Sequence, residues 1–249
     1  MFKNIIQETF KYLGYKIVKN NDPVFHFHSN AYLRHNARRL EHLASLNIPV
    51  RGMSVLEVGA GIGDHSHYYL DRECQITITE TRQDNLDYLI LRYPGVNILR
   101  LDLDYPQPIE NSPFDIVHCY GLLYHLKNPD LALNFLSQSC KKILFLETCV
   151  SFGDNEQINP VKEIQTNPTQ AFSGVGCRPT RRWIFSRLQN HFDYVYIPRT
   201  QPNHEEFPLD WSHPEKHQGL SRSIFIASRT KLDNEILTDE LIQHQVRHN

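Results

Sequence analysis

A glycine-rich stretch follows the first strongly apolar run of the chain, and its residue types suit a ligand-binding loop. Within residues 54–64, glycines occupy the alternate positions Gly59, Gly61 and Gly63. The acid Glu57 lies two residues before the first of them. Glycine lets a backbone turn sharply and approach a ligand where a Cβ atom would collide. The apolar run predicts a buried strand, and the residues after the last glycine predict a helix. Strand, glycine turn and helix together predict a nucleotide-type site made of backbone amides and a helix N-terminus.

The glycine spacing separates two classes of nucleotide. The dinucleotide fingerprint G-x-G-x-x-G requires a glycine at position 64, where this chain has Asp64. The pattern present is E-x-G-x-G-x-G, which resembles the first motif of class I S-adenosylmethionine (SAM) methyltransferases. The resemblance implies that SAM is the cofactor. It also implies that the loop wraps the methionine part and ribose of SAM, through Glu57, Gly59, Ala60, Gly61 and Gly63.

Acidic residues end the next two predicted strands. Glu80 lies about 20 residues beyond the glycine loop, where an acid can accept from both ribose hydroxyls. It resembles the second motif of the family, and Thr81 beside it joins the predicted cofactor site; an ordinary exposed glutamate is the alternative. For the third strand, the resemblance implies that Asp102 accepts from the adenine amino group while the amide of Leu103 reads a ring nitrogen. Asp104 is a rival for this role, and an Asx turn would explain either aspartate.

The fourth predicted strand leads into residues 119–129, Cys-Tyr-Gly-Leu-Leu-Tyr-His-Leu-Lys-Asn-Pro. This segment resembles the L-x-H-L-x-x-P segment of the family, in which the chain passes beneath the sulfonium and begins the acceptor wall. The resemblance implies that Tyr120 flanks the cofactor, and we expect Tyr124 to contact the substrate. His125 is a candidate catalytic base, because a neutral imidazole near the methyl group can take a proton from the acceptor. A histidine that only packs or orients the loop is the alternative.

Two later segments supply further candidates for the acceptor site. Arg181, in the run Arg-Pro-Thr-Arg-Arg-Trp, suits a carboxylate or phosphate, although a solvated helix start is the ordinary interpretation. Residues 204–211 mix imidazole, acidic and aromatic groups that suit a ring-shaped substrate such as a sugar or phenol. We therefore predict His204 as a second catalytic candidate and Trp211 as a substrate contact. A loop in which Trp211 is only a packing anchor fits the same residues equally well.

The 14 histidines do not form a pattern typical of a metal site. His65 and His67 lie two residues apart in a predicted helix, so their side chains point to different faces. No group of histidines and cysteines has the spacing of a structural zinc site. We predict no metal.

Strand and helix patterns alternate from residue 53 and predict an α/β fold with a mostly parallel, doubly wound sheet. The resemblance implies seven strands, the last inserted antiparallel. The predicted helices of this part are 64–72, 83–92, 130–139 and 179–190. The predicted strands are 53–58, 75–80, 97–102, 114–120, 142–149, 192–198 and 222–228.

The first 50 residues predict an N-terminal helical cap. Apolar residues recur at helical spacing in 2–14 and 30–46, and residues 20–29 have the composition of a loop. Ser29 or Asn30 can cap the second of these helices.

The remainder of the chain predicts one SAM-binding domain and a tail. The domain spans 51–230, and its irregular stretches 150–178 and 199–221 follow strand ends at the edge where ligands bind open α/β sheets. Long loops of this kind are usually functional, so we predict them as acceptor lids. Residues 231–249 form a polar tail for which we predict a loose helix.

The composition is that of an ordinary globular protein, with 40% hydrophobic and 22% charged residues. A net charge of −2 lacks the basic excess of most nucleic-acid binders, which argues against nucleic acid as a partner. No apolar run reaches the roughly 20 residues of a membrane span, and the N-terminus lacks a signal-peptide pattern. Five cysteines without a C-x-x-C pair indicate free thiols, so we expect a cytoplasmic protein with no membrane partner. The oligomeric state stays open.

The sequence predicts a SAM-dependent methyltransferase with a small-molecule acceptor, and O-methylation of a sugar or natural product is the expected reaction. Two alternatives remain at this stage. The Leu-Leu-Tyr-His-Leu segment also resembles tRNA wobble-uridine modifying enzymes that transfer a carboxymethyl group from a carboxylated SAM. A catalytically silent SAM-fold module that binds a partner protein is the other.

Overall fold

Helices precede the first strand in the computed structural model, which describes residues 2–15 and 22–248. Residues 16–21 of the predicted cap, and with them the start of the predicted 20–29 loop, lie outside the described residues, as does residue 249 of the tail. The helices are α1 (Phe2–Tyr12), α2 (Pro23–Phe27), α3 (Asn30–Ser45), α4 (Ser66–Leu70), α5 (Gln83–Arg92), α6 (Pro129–Gln138) and α7 (Arg181–Gln189), with 3-10 turns at Leu123–His125 and Pro214–Lys216.

The strands alternate with these helices from β1 onward. Their bounds are β1 (Ser54–Val58), β2 (Gln75–Glu80), β3 (Asn97–Arg100), β4 (Phe114–Tyr120), β5 (Cys140–Cys149), β6 (Pro160–Lys162), β7 (Val175–Cys177), β8 (Tyr194–Pro198), β9 (Thr200–Gln201), β10 (Arg222–Ser228), β11 (Leu237–Thr238) and β12 (Val246–Arg247).

The central sheet has the order β11-β8-β10-β5-β4-β1-β2-β3. Strands β1 to β5 pair in parallel, and β10 lies antiparallel between β5 and β8. Alternate residues of β1 enter different apolar clusters, because successive side chains of a strand point to opposite faces. Leu56 and Val58 pack in the cluster that includes α6 and α7, whereas Val55 packs in the one that includes α4 and α5. The predicted doubly wound α/β architecture is therefore confirmed.

The predicted number of seven strands is wrong, because the sheet has eight. The additional strand is β11, which pairs antiparallel with the end of β8 through Leu237 and Thr238. The predicted loose helix in the tail is also wrong, since the described residues 231–248 contain two short strands and no helix. A two-residue edge strand is too short to leave a periodic pattern in the sequence.

Three segments predicted as loops contain short regular elements, and in 199–221 these are β9 and the 3-10 turn Pro214–Lys216. Within 22–29, Asp22 caps α2 by accepting from the Val24 amide at 3.0 Å, and Pro23 occupies the first helical turn. Within 150–178, β6 and β7 pair antiparallel. We call β6, β7 and their connecting residues 163–174 the lid hairpin.

A buried ion network joins α3 to the middle of the sheet. The Glu147 carboxylate on β5 is fully buried; it accepts from Arg39 of α3 at 2.6 Å and from Arg222 of β10 at 3.0 Å. Arg222 also contacts Glu206 at 2.5 Å and the Tyr124 hydroxyl at 3.2 Å. Although burial acts to raise the pKa of Glu147, the two guanidinium groups lower it below its usual value. The helical cap and the sheet therefore meet at the Glu147 carboxylate, and the 199–221 segment joins the same network through Glu206 and Arg222.

None of the helices in the described ranges combines the length and the apolar character needed to cross a bilayer.

Replacement of Glu147 by Gln is expected to lower the free energy of unfolding by about 3–5 kcal/mol, because two buried guanidinium groups lose their counter-charge. Urea denaturation of the purified protein measures this value. Glu41→Gln is the control, since Glu41 pairs with Arg38 on the solvent-exposed face of α3 and its loss is expected to cost at most about 1 kcal/mol. Equal losses in the two variants would contradict the role given to the buried network.

Candidate functional site

The glycine loop joins β1 to α4, and two interactions hold it to β2: the Ala60 amide donates to the Thr79 carbonyl at 3.0 Å, and the Glu80 carboxylate binds the loop tip. Glu80, at the end of β2, accepts from the Gly61 amide at 2.8 Å through one oxygen. Its other oxygen accepts from the amides of Thr81 at 2.8 Å and Arg82 at 3.0 Å. Burial raises the pKa of Glu80, and the three amides act against that rise. The end of β2 and the tip of the loop are thereby held together.

Gly61 is required by both its conformation and its surroundings. Its φ is +59°, in the left-handed region that side chains disfavour. A Cβ atom there would lie 2.7 Å from Cε1 of Phe27, a residue of α2. The loop therefore passes directly beneath a cap helix.

One cavity adjoins the carboxyl ends of β1, β2 and β4. It is bounded by the glycine loop, by α2 and α3, and by the lid hairpin. The predicted site residues that line it are Glu57, Gly59, Ala60, Gly61, Glu80, Thr81, Asp102, Leu103, Tyr120 and His125. Strand ends of a parallel sheet share one edge, which is why residues far apart in the chain meet here.

The two aspartates after β3 both line the cavity but differ in their bonds. Asp104 accepts from the amides of Lys127 at 2.8 Å and Asn128 at 3.1 Å through one oxygen, so it anchors the turn before α6. Among the described residues, Asp102 accepts only from the Asp104 amide, at 2.9 Å, in an Asx turn. More of the hydrogen-bonding capacity of Asp102 is therefore available to a ligand.

Two predicted site residues near the cavity do not line it. Gly63 packs against α5 instead, and a Cβ atom there would lie 2.5 Å from the Tyr93 ring and 2.8 Å from Leu89. Tyr124 is buried, and its hydroxyl accepts from Arg222 at 3.2 Å. The structure thus gives Gly63 and Tyr124 packing partners rather than a place on the cavity wall.

The candidates from the later segments lie outside the cavity lining. The His204 ring stacks on His35 with centroids 4.8 Å apart, and it is buried. The Arg181 guanidinium lies 4.1 Å from the centroid of the Trp211 ring and donates to the Ile242 carbonyl. A polar and aromatic composition does not indicate which way side chains point. Here His204 faces His35 of α3, whereas Arg181 and Trp211 face each other and the tail.

His125 lines the cavity and is held by a carboxylate from the lid hairpin. Its Nδ1 lies 2.5 Å from Oε2 of Glu163, which also accepts from the Ala171 amide at 2.7 Å. Arg178 contacts the other Glu163 oxygen at 3.3 Å. Burial lowers the pKa of His125 while Glu163 acts to raise it, and the net shift is downward. The imidazole is therefore neutral at neutral pH and oriented by Glu163.

Sequence reasoning missed most of the wall that covers the glycine loop. The missed lining residues are Phe27, Tyr32 and Asn36 of the cap helices and Pro168, Thr169, Gln170 and Phe172 of the lid hairpin. Their types carry no ligand-binding motif, and only the folding of two distant segments over the loop brings them there.

Asp64 connects the glycine loop to the cap. Its carboxylate accepts from Arg92 at 2.6 Å and from Asn36 of α3 at 3.3 Å, and it lies 3.4 Å from the His28 ring. The same residue that excludes the dinucleotide fingerprint therefore fastens the cap helix over the loop.

Glu57 is buried at the base of the cavity beside two histidines. Ser66 donates to its carboxylate at 2.5 Å. Burial raises the pKa of Glu57 to about 7, and the Ser66 hydrogen bond acts against that rise. Three buried side chains here could also act as metal ligands, with one potential ligand atom each within 4.8 Å of the others: Glu57, His65 and His118. The sequence spacing did not reveal this cluster.

Several buried polar atoms of the cavity wall have no hydrogen-bond partner among the described residues. They are Nε of Arg39, Nε2 of His65, Oγ1 of Thr81 and the hydroxyl of Tyr120. Buried polar atoms are almost always bonded in folded proteins, so a polar ligand is expected to satisfy these. The donor set suits a nucleoside that carries an amino-acid group.

Residues 56–142 match the family model described as a methyltransferase domain. This segment is a class I methyltransferase domain. The match spans β1 to the start of β5 and so includes the glycine loop, Glu80, Asp102 and His125. Together with the fold, it confirms the predicted family, the class I SAM-dependent methyltransferases. No curated protein sequence matches the chain.

The N-terminal domain of EvdMO1 with S-adenosylhomocysteine (SAH) bound is 20% identical, with a TM-score of 0.59, over 79% of this chain and 81% of that one. A SAM-dependent methyltransferase from Mesorhizobium loti is 14% identical, with a TM-score of 0.57, over 79% and 100% of the two chains.

A third similar structure is the 1,6-didemethyltoxoflavin-N1-methyltransferase of Burkholderia thailandensis, which contains 1,6-didemethyltoxoflavin and SAH. It is 16% identical, with a TM-score of 0.52, over 84% of each chain. At such identities these likenesses establish the fold.

Glu57 is expected to make the stability of the methyltransferase pH-dependent. A carboxyl group whose pKa is raised to about 7 from 4.5 binds its proton more tightly in the folded protein. Folding is therefore favoured at low pH, and this contribution is lost between pH 4.5 and pH 7. Urea denaturation across this window is expected to show wild type losing about 3 kcal/mol relative to Glu57→Gln. Parallel stability profiles for the two proteins would contradict the raised pKa.

Proposed function

We propose that this protein transfers a methyl group from SAM to a hydroxyl of a small polar acceptor, a sugar or a natural product. The observation that carries the proposal is that one cavity joins the glycine loop, Glu80 and Asp102 to His125. SAM supplies a methyl group that is already activated by a positively charged sulfur, so alignment and proton removal are the main tasks left to the protein.

The cavity residues suit the parts of SAM. Glu80 would accept from the ribose hydroxyls, and Asp102 would accept from the adenine amino group. The amino-acid end would lie toward Glu57, where unpartnered buried polar atoms remain. Each of these groups lines the same cavity, which supports a cofactor that spans it from β3 to β4.

His125 would remove the proton of the acceptor hydroxyl. With Nδ1–H donated to Glu163, the Nε2 atom keeps its lone pair and can accept that proton. SAM would supply the methyl group and leave as SAH, while the His125 imidazolium formed by taking the proton would be stabilised by Glu163. A neutral amine or a carboxylate acceptor would not need this base, so the His125–Glu163 pair favours a hydroxyl.

Two similar structures support a small acceptor. The EvdMO1 N-terminal domain was solved in the presence of SAH and D-fucose; it is 18% identical to this chain, with a TM-score of 0.60. The Burkholderia thailandensis enzyme binds a small heterocyclic molecule. Residues of the lid hairpin and of the cap helices form part of the cavity wall, which favours a molecule of limited size.

Cofactor binding is tested with Gly61→Ala and Gly95→Ala. Both positions have positive φ, at +59° and +84°, so alanine strains the backbone in each. Of the two, only Gly61 lines the cavity. A Cβ atom at Gly95 has no neighbour within 4 Å, so that substitution adds no clash. Calorimetry is expected to show that Gly61→Ala binds SAH at least about tenfold more weakly than wild type. Gly95→Ala is expected to bind as wild type does.

The absence of SAH binding to wild type would overturn the assignment of the cofactor. Equal binding by both alanine variants would show that SAH binds away from the glycine loop.

The role of His125 is tested by methyl transfer from labelled SAM to a panel of hexoses, 6-deoxyhexoses and phenols. His125→Ala is expected to lower kcat by about 10²- to 10⁴-fold while its affinity for SAH stays within about twofold of wild type. Glu163→Gln is expected to lower kcat less and to shift the pH profile, because the imidazole loses its orienting charge. Glu156→Gln is the control, as Glu156 is an exposed carboxylate of the same segment that pairs with Ser186.

The same assay separates the alternatives. Transfer to tRNA from a carboxylated SAM would overturn the small-molecule proposal. Binding of SAH without transfer to any hydroxyl of the panel or of a cell extract would favour a silent module. Full activity of His125→Ala would exclude the proposed base.

A further inference from the structure

A row of three buried side chains leads from the core to the cavity. The Tyr69 hydroxyl of α4 lies 2.9 Å from Nδ1 of His118 on β4. Nε2 of His118 lies 3.2 Å from Nδ1 of His65, which precedes α4. All three residues are buried, and the two histidines line the cavity. The proposed function assigns none of them a role.

The direction of the protons along this row follows from Tyr69. Among the described residues, His118 is the only hydrogen-bond partner of the Tyr69 hydroxyl. The hydroxyl can therefore use its O–H group in a hydrogen bond only by donating to Nδ1 of His118. A buried O–H group without an acceptor is costly, which selects this direction. His118 then carries its proton on Nε2 and donates it to Nδ1 of His65. His65 must therefore carry its own proton on Nε2.

The electrostatic environment keeps both imidazoles neutral. Burial lowers the pKa of His118 to about 3 and the pKa of His65 well below its usual value, and Arg39 adds to both effects. Each ring therefore has one proton, as the tautomer argument requires.

Four polar atoms of the cavity-lining residues have no hydrogen-bond partner among the described residues, and two of them are nitrogen donors beside the row. Nε2 of His65 is one, and Nε of Arg39 is the other. The remaining nitrogens of Arg39 donate to Asn36 at 3.0 Å and to Glu147 at 2.6 Å, so Nε is the part of the guanidinium left for a ligand. Two such donors on one wall suit a carboxylate.

A metal ion is the competing interpretation of the same histidines. Glu57, His65 and His118 could each supply one ligand atom. To bind a metal through either of the two facing nitrogens, Nε2 of His118 or Nδ1 of His65, that nitrogen would need a free lone pair. In the row, Nε2 of His118 carries a proton and donates it to the lone pair of Nδ1 of His65. The Tyr69 hydrogen bond therefore favours a neutral donor row over a metal site.

We propose that the Nε2–H group of His65, together with Nε of Arg39, binds the carboxylate of the amino-acid end of SAM. Tyr69 and His118 are positioning residues that fix the tautomer of His65. This inference rests on the proposed function and assigns residues to one end of its cofactor.

Binding of two nucleosides tests the proposal. SAH has the amino-acid end, whereas 5′-methylthioadenosine has the same adenosine and sulfur without it. His65→Ala is expected to weaken SAH binding by about tenfold or more and to change 5′-methylthioadenosine binding by less than about twofold. His67→Ala is the control, because His67 is an exposed residue of α4 that does not line the cavity. Equal weakening of both nucleosides by His65→Ala would overturn the proposal.

Nitrogen-15 NMR of the histidine side chains tests the tautomers in the folded wild-type protein, independently of any variant. Nε2–H is expected for both His65 and His118, and Tyr69→Phe is expected to change the populations and to weaken SAH binding selectively. An Nδ1–H tautomer of His65, or one equivalent of zinc that His65→Ala removes, would overturn the proposal. If wild type binds neither nucleoside, the proposed function fails with it; if wild type binds both, only the role of His65 is in question.

Discussion

The Glu147 carboxylate is the point on which the arrangement of the molecule depends. It lies in the middle strand of the sheet with no solvent exposure, and guanidinium groups from α3 and β10 neutralise it. A buried charge tolerates few alternative geometries, because any separation leaves it uncompensated in a medium of low dielectric. The position of α3 over the carboxyl edge of the sheet follows from this pairing. Arg39 takes part both in the network and in the cavity wall, so the core and the site share a residue.

The cavity is built from layers that come from different parts of the chain. The sheet edge provides the glycine loop, Glu80, Asp102 and His118, the cap covers them from one side, and the lid hairpin provides Glu163 to His125. Most titratable groups of this wall are buried, and burial favours their neutral forms. Neutral imidazoles with assigned hydrogen-bond directions are suited to fixed recognition and to accepting a proton. We view the site as one in which hydrogen-bond direction matters as much as charge.

Much of the fold and the cofactor half of the site could be predicted. Short strands with apolar runs, separated by helical patterns, specify a parallel sheet, and in such a sheet the strand ends lie on one edge. Glu80, Asp102, Tyr120 and His125 could therefore be placed together without coordinates. The eighth strand could not be predicted, because β11 is a two-residue edge pairing in a polar tail. His204, Arg181 and Trp211 illustrate the other limit, since their residue types suggest binding while their side chains pack against His35, the tail and each other.

The sequence by itself determined the class of the domain, through the E-x-G-x-G-x-G spacing, Asp64 and the acids at the strand ends. These features are local, and local backbone geometry limits which ligands a loop can accept. Only the tertiary structure decided what surrounds the glycine loop. Asp64 fastens α3 over the loop, Phe27 covers Gly61, and His65 meets His118 across 53 residues of chain. Such contacts depend on the packing of distant segments, which no spacing within the glycine motif encodes.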